Sequence, residues 1–354
     1  MRRGLNTVSE CETQWGECME GSQYLLLDAG SGGMASHRLI QTMFARAFSN
    51  PILDRMDDAA LVHDLSGPLA MSTDSYTVTP LFFPGGSIGT LAIHGTVNDV
   101  AMLGAKPRYL SCAFILEEGL ALADLESVVQ DMGRAAKEAQ VAIVTGDTKV
   151  VPKGGCDSIF ITTTGIGSLL VSDPPSGHNA RVGDSILVSG SIGDHGMCIL
   201  ASREALPFET NVRSDSAPLA AMLEPVLTQC SVRVLRDPTR GGVATTLKEI
   251  ALQSNVSIRL QEEALPIHES VRAGCDCLGL DPLYLANEGK CLCFVPKEEE
   301  ERALRLLRES PYGREACVIG CVDHAGDGRV VLETKIGGER QLGMLEGAQL
   351  PRIC

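Results

Sequence analysis

Apolar residues recur at helical spacing over Leu39, Ile40, Met43, Phe44, Ala47 and Phe48, and the pattern stops at Asn50-Pro51, where proline cannot continue a helix. Two stretches, 57–62 and 69–78, place acidic residues beside apolar ones in the manner of strands. Ser87 follows the turn Pro84-Gly85-Gly86 and can cap an apolar helix running to about Gly104, with Pro107 as a stop signal beyond it. An amphipathic helix is predicted over 121–139, a strand over 141–145 that ends at Gly146-Asp147-Thr148-Lys149, and a strand over 157–167. The Pro, Ser, Gly and Asn residues of 173–179 read as a linker.

Beyond it the alternation resumes. Strands are predicted over 185–189, 232–235, 256–260, 291–295 and 317–322, with a hairpin over 329–341. Helices are predicted after the turn Gly193-Asp194-His195-Gly196 and over 217–229, 243–253, 267–278 and 297–308. Helices and strands mix in both halves, so the predicted class is α+β, with helices layered on a sheet in each domain. The length of 354 residues suits two domains. We place an extension at 1–23, one domain at 24–172, a second at 180–343 and a tail at 344–354.

Charge and composition narrow the function. The chain carries a net charge of −15 and shows no basic stripe, which argues against nucleic-acid binding. No apolar run approaches the ~20 residues of a bilayer span. The first residues are polar and lack a signal-peptide core, so no membrane association and a cytoplasmic location are expected. Thirteen cysteines, an odd number without secretory context, read as reduced thiols. Cys291 and Cys293 alternate with core positions, as cysteines facing one side of a strand do.

Asp57, Asp58, Asp74, Asp99, Asp147 and Asp237 fall at strand ends, on turns or within an apolar helix. Capping and turn chemistry accounts for Asp147 and Asp237. It does not account for Asp99, which sits mid-helix among Val97, Val100, Ala101 and Leu103; a carboxylate there is costly unless paired or bound to a cation. Carboxylates near the glycine run Gly30-Ser31-Gly32-Gly33 suit Mg²⁺ and a nucleotide, with Lys149, Arg240 and Lys290 available to phosphate charge.

The segments Gly30-Ser31-Gly32-Gly33, Asp57-Asp58-Ala59-Ala60, Ser72-Thr73-Asp74-Ser75, Asn98-Asp99-Val100-Ala101-Met102-Leu103-Gly104-Ala105, Thr145-Gly146-Asp147-Thr148-Lys149-Val150 and Asp237-Pro238-Thr239-Arg240-Gly241-Gly242 stand in one order. That order resembles an ATP-using superfamily containing aminoimidazole ribonucleotide synthetase, selenophosphate synthetase and thiamine-monophosphate kinase. Phe82-Phe83-Pro84-Gly85-Gly86, Ile115-Leu116-Glu117-Glu118-Gly119, Asn287-Glu288-Gly289-Lys290 and the terminal Pro351-Arg352-Ile353-Cys354 resemble, within it, the HypE family of hydrogenase-maturation carbamoyl dehydratases. The resemblance spans roughly Tyr24 to Cys354.

It implies an aminoimidazole ribonucleotide synthetase-like fold whose N-terminal domain forms a barrel across a homodimer, and a flexible tail. It implies ATP and Mg²⁺ as cofactors, and as partners a HypF carbamoyltransferase and a HypC–HypD complex. The reaction implied is ATP-dependent dehydration of a carbamoyl group on Cys354 to a thiocyanate, the source of a cyanide ligand for [NiFe]-hydrogenase. Asn98, Asp58, Asp74, Asp99, Asp147, Asp237, Arg240 and Gly241 become nucleotide contacts, with the five aspartates as metal ligands. Cys354, Glu288 and Lys149 become catalytic. His195 is a further candidate near the nucleotide, whereas His94 and Cys112 read as packing residues.

Another chemistry on the same scaffold is the competing reading, a small-molecule kinase or a synthetase. Selenophosphate synthetase would want a reactive Cys and a Lys in the early glycine segment, where Ser31 and Met34 stand. A third reading, a thiol or metal carrier, predicts bound metal and no use of ATP. Residues beyond about Gly343 could reach ~33–36 Å when extended, enough to bring Cys354 into a site on its own subunit or to a partner.

Overall fold

The computed structural model describes residues 23–30, 33–57, 59–203, 211–347 and 352–353. Cys354 and Asp58 therefore lie outside the described residues, as do Ser31, Gly32 and the extension up to residue 22. Strand β1 (Leu69–Tyr76), β2 (Ala105–Glu117), β3 (Ala142–Val151) and β4 (Ile159–Leu169) form one sheet in the order β1-β4-β2-β3. Only the β2–β3 pair is parallel.

Helix α1 (Gly33–Leu39) continues through a π turn, Ile40–Phe44, into Ala45–Phe48. Helix α2 (Ile88–Met102) is capped by Ser87, with Thr90 closing a capping box: the Ser87 N–H donates to Thr90 Oγ1 at 2.9 Å. α2 is buried along almost its whole length. It lies on one face of the sheet with α3 (Leu122–Glu138), and at its C-terminal end Ala101 and Met102 join Leu187, Leu219 and Leu223 of the second half. One helix thus belongs to two cores, and it carries Asn98 and Asp99.

The second sheet holds β5 (Ser185–Val188), β6 (Val234–Arg236), β7 (Val256–Gln261), β8 (Leu292–Val295), β9 (Cys317–Ala325), β10 (Val330–Glu333) and β11 (Glu339–Leu342). Their order is β11-β10-β7-β9-β5-β8-β6. Around it stand α4 (Asp194–Arg203), α5 (Ala220–Gln229), α6 (Gly242–Ser254), α7 (Glu269–Leu278) and α8 (Glu300–Arg308). Cys291 and Cys293 are buried in this core, and the described cysteines are free thiols.

The helix begun at Ser87 ends at Met102, before Pro107 as expected, but the strand that follows, β2, has no counterpart in the expected elements. β2 runs through Pro107; its register shifts between Pro107 and Tyr109, and a bulge is where a strand tolerates proline. Among the described residues of 57–62 no strand forms: Leu61 is exposed, and the edge of β3 is met instead by the turn Leu27–Gly30. Gly30 lies so close to that edge that a Cβ would stand 2.2 Å from Val150 N.

The four-stranded sheet is covered on one face only. On the other, Met71 and Ile115 are largely exposed, and hydroxyl pairs Thr73–Thr164 and Ser75–Thr162 bridge β1 and β4 at 2.9 and 2.8 Å. Among the described residues no helix is long and apolar enough to cross a membrane.

Candidate active site

Three elements converge where the two sheets meet. β1 brings Asp74, the last turn of α2 brings Asp99, and the loop after β6 brings Asp237. The loop Asn287-Glu288-Gly289-Lys290 brings Glu288. Together with Arg240, Tyr76 and Thr239 they line a cleft of about 880 Å³, within the range of small-molecule sites.

The charges here are poorly balanced by protein groups. Asp99 accepts from Ser72 Oγ at 2.6 Å, but burial, and then the neighbouring Asp237, push its pKa up to about 7. It also stands near the C-terminal, negative end of α2. Burial raises Asp237 as well, to about 6. Burial followed by the charges of Asp215, Asp237, Asp74 and Asp99 holds Glu288 well above the usual carboxylate range. Glu288 is 4% exposed, and its Oε1 has no hydrogen-bond partner.

A buried carboxylate oxygen without a donor, among three further carboxylates, fits a proton-bearing substrate group and a hard cation. No three metal-binding side chains among the described residues are close enough to chelate an ion unaided. Such a donor set suits Mg²⁺, which keeps waters and takes substrate phosphate oxygens.

Glu288 is held from behind. Its N–H donates to Asp215 Oδ1 at 3.0 Å, and Asp215 Oδ2 pairs with Lys290 at 3.3 Å, both side chains being almost fully buried. Gly289 is obligatory, because a Cβ would stand 1.8 Å from the Asp215 carbonyl oxygen. Lys290 is therefore a structural partner of Asp215, whereas the sequence offered it to phosphate.

Asn98 also departs from its expected role beside the nucleotide. Its amide donates to the carbonyls of Ala217 and Glu288 at 3.0 and 3.3 Å, and its oxygen accepts from Leu219 N at 2.8 Å. Fully engaged and 1% exposed, it braces the Glu288 loop. Gly241 has φ +78, and a Cβ there would meet Thr245 Oγ1 at 2.4 Å; it precedes α6, whose N-terminus faces Arg240 and the cleft. His94 is a core residue: Nδ1 meets Ser216 Oγ at 3.0 Å, and burial pushes its pKa down to about 4.

Asp147 and Lys149 lie elsewhere. Both stand on β3, the opposite edge of the sheet from β1, three strand spacings or about 14 Å away. They pair with each other at 3.0 Å, and line a second cavity of about 300 Å³ with Gly30, Asp57 and Phe114. The Lys149 ammonium and the Thr148 N–H hold Asp147 below the usual carboxylate range.

His195 was given less weight by the sequence than the geometry gives it. It is fully buried beside the cleft, with Nδ1 2.8 Å from Ser214 Oγ and Nε2 2.9 Å from the carbonyl oxygen of Ile353. Arg352 and Ile353 themselves line the cleft, and Ile353 is 5% exposed. No local signal tied Gly193-Asp194-His195-Gly196 to a segment 158 residues away.

Residues 56–169 match the N-terminal domain of AIR synthase related proteins and residues 181–333 match the C-terminal domain. Among curated proteins the chain is 53% identical over 326 residues to the carbamoyl dehydratase HypE of Azotobacter vinelandii, covering 92% of this chain and 96% of that one. Among solved structures it is similar to the hydrogenase maturation protein HypE in complex with ATP, with TM-score 0.90, 62% identity, and coverage of 93% and 100%. A HypE–HypF complex also matches, with TM-score 0.77, 49% identity, and coverage of 87% and 99%.

Proposed function

Because the chain belongs to the HypE family of hydrogenase-maturation carbamoyl dehydratases, we propose that it dehydrates a carbamoyl group carried on its own Cys354, using ATP. The observation that carries this reading is the position of Ile353. The residue immediately before Cys354 lines the same cleft as Glu288, Asp74, Asp99 and Asp237.

A thiocarbamate, S–C(=O)–NH₂, does not expel oxide at neutral pH. The carbamoyl oxygen first takes the γ-phosphoryl group of ATP, releasing ADP and one N–H proton. The C–O bond then breaks, phosphate leaves, and the second N–H proton departs as C≡N forms. The product is S–C≡N, with ADP and phosphate. The unpartnered Glu288 Oε1 is the acceptor we assign to an N–H proton.

Asp74, Asp99 and Asp237 would hold Mg²⁺, which screens the triphosphate and offsets the negative charge that now raises Glu288. Asp58 lies outside the described residues, and Asp147 stands with Lys149 on the far edge of the sheet. Two copies joined through the open sheet faces, closing a barrel, would bring Asp147 and Lys149 of one subunit towards the acidic cleft of the other. The proposed assembly is therefore a homodimer, with Lys149 orienting the carboxamide. A HypF-type carbamoyltransferase is the proposed donor, and a HypC–HypD complex the proposed acceptor of the cyano group.

The test is Cys354→Ala, supplied with ATP and a HypF-type donor. It is expected to form no cyano product, and ATP-dependent cyano formation by that variant would refute the reading.

A further inference from the structure

The groups around Arg352 and Ile353 come from three distant parts of the chain. His195 and Arg203, both on α4, address two successive carbonyls: His195 Nε2 the one of Ile353, and Arg203 the one of Arg352. The Arg352 side chain is read in turn. Its Nε donates to the Thr77 carbonyl at 2.9 Å, its guanidinium pairs with Asp157, and it stands 5.8 Å from the centroid of the Phe160 ring.

The tautomer of His195 follows from its neighbours. Ser214 Oγ accepts from the Ser216 N–H at 3.2 Å, which leaves its own proton for His195 Nδ1. His195 Nε2 then carries hydrogen and donates to Ile353 O. Burial favours this neutral imidazole, and the Phe83 ring meets it edge-on at 5.7 Å. The backbone turns sharply at Arg352, whose φ of 55 lies in the left-handed region that an arginine adopts only when held there.

We propose that His195, Arg203 and Asp157 form a latch that recognises the dipeptide Arg352-Ile353 and so seats the chain end at the cleft. His195 and Arg203 read main chain, so the latch fixes the path of the tail. Asp157, Thr77 and Phe160 read the Arg352 side chain, so the latch also selects the residue two places from the end. These are positioning residues, and their relevance to catalysis rests on the function proposed above.

The test measures alkylation of Cys354 by N-ethylmaleimide in the full-length protein, followed on the C-terminal peptide by mass spectrometry. Neither ATP nor a carbamoyl donor is present, so the result stands apart from whether dehydration occurs. His195→Ala and Arg203→Gln are each expected to speed labelling on the order of fivefold, the weight of one hydrogen bond. Ser214→Ala, which frees the other tautomer, should fall between these and the wild type.

Because the Arg352–Asp157 pair is exposed, wild-type labelling should also quicken with salt, and Asp157→Asn should remove that dependence. Buried Cys112 and Cys293 report unfolding in the same sample. Should His195→Ala unfold, Arg203→Gln and Arg352→Gln decide. Labelling rates that are unchanged in the folded variants and insensitive to salt would overturn the latch.

Discussion

Glu288 and Lys290 sit two residues apart and face opposite ways. Glu288 points an unpartnered oxygen into the cleft, and Lys290 neutralises Asp215 behind it. Glu288→Gln keeps the shape and removes the proton acceptor. Dehydration is expected to fall by ~10²–10⁴ while carbamoyl loading of Cys354 continues, as separate mass measurements of the loaded and dehydrated peptides would show.

Lys290→Met leaves Asp215 charged and buried without its partner. It should cost about 3–5 kcal/mol of stability, read as a lower urea midpoint. An unchanged midpoint would mean that Asp215 finds another counter-charge. The motif around Glu288 was legible in the sequence because its residues are contiguous. Its counterpart Asp215 was not, because nothing local links residue 215 to a loop 73 positions later.

α2 is the element on which the site depends. It packs against the four-stranded sheet, enters the second core through Ala101 and Met102, and presents Asn98 and Asp99 at the junction. Its start was legible, since a serine after a glycine turn and before an apolar run is a cap signal. Ser87 also donates to Asp131 at 2.6 Å, tying α2 to α3. Ser87→Ala should therefore destabilise by about 1–2 kcal/mol, measured by denaturant unfolding.

β2 was harder to read because its proline sits at a bulge, a compensation visible only once the neighbouring strand is in place. The second sheet was legible as a series of strands but not as an order. Placing β10 parallel to β7, and β5 between β9 and β8, depends on long-range pairing that leaves no periodic trace.

At the scale of the whole molecule, the four-stranded sheet has a covered face and an open one, and the acidic cleft and Lys149 stand at its opposite edges. Asp74, Asp99, Asp147 and Asp237 stand out in the sequence, but this division between edges does not, since strand order decides which residues share a site. Glutamate in place of Met71 or Ile115, both on the open face, should turn the proposed dimer into a monomer in sedimentation and abolish dehydration together with it. A monomer that remains fully active would remove the second subunit from the site. Chelation of divalent cations with EDTA should likewise stop dehydration and should be reversed by added Mg²⁺.

The proposed role of Cys354 as substrate carrier is tested most directly by a time course of the C-terminal peptide by mass spectrometry, with the full-length protein incubated with a HypF-type carbamoyl donor, with and without ATP. A carbamoyl adduct on Cys354 is expected in both arms, and loss of one water from that adduct only with ATP. A carbamoyl adduct that never loses water when ATP is present, or a cyano group that appears without passing through Cys354, would contradict that role.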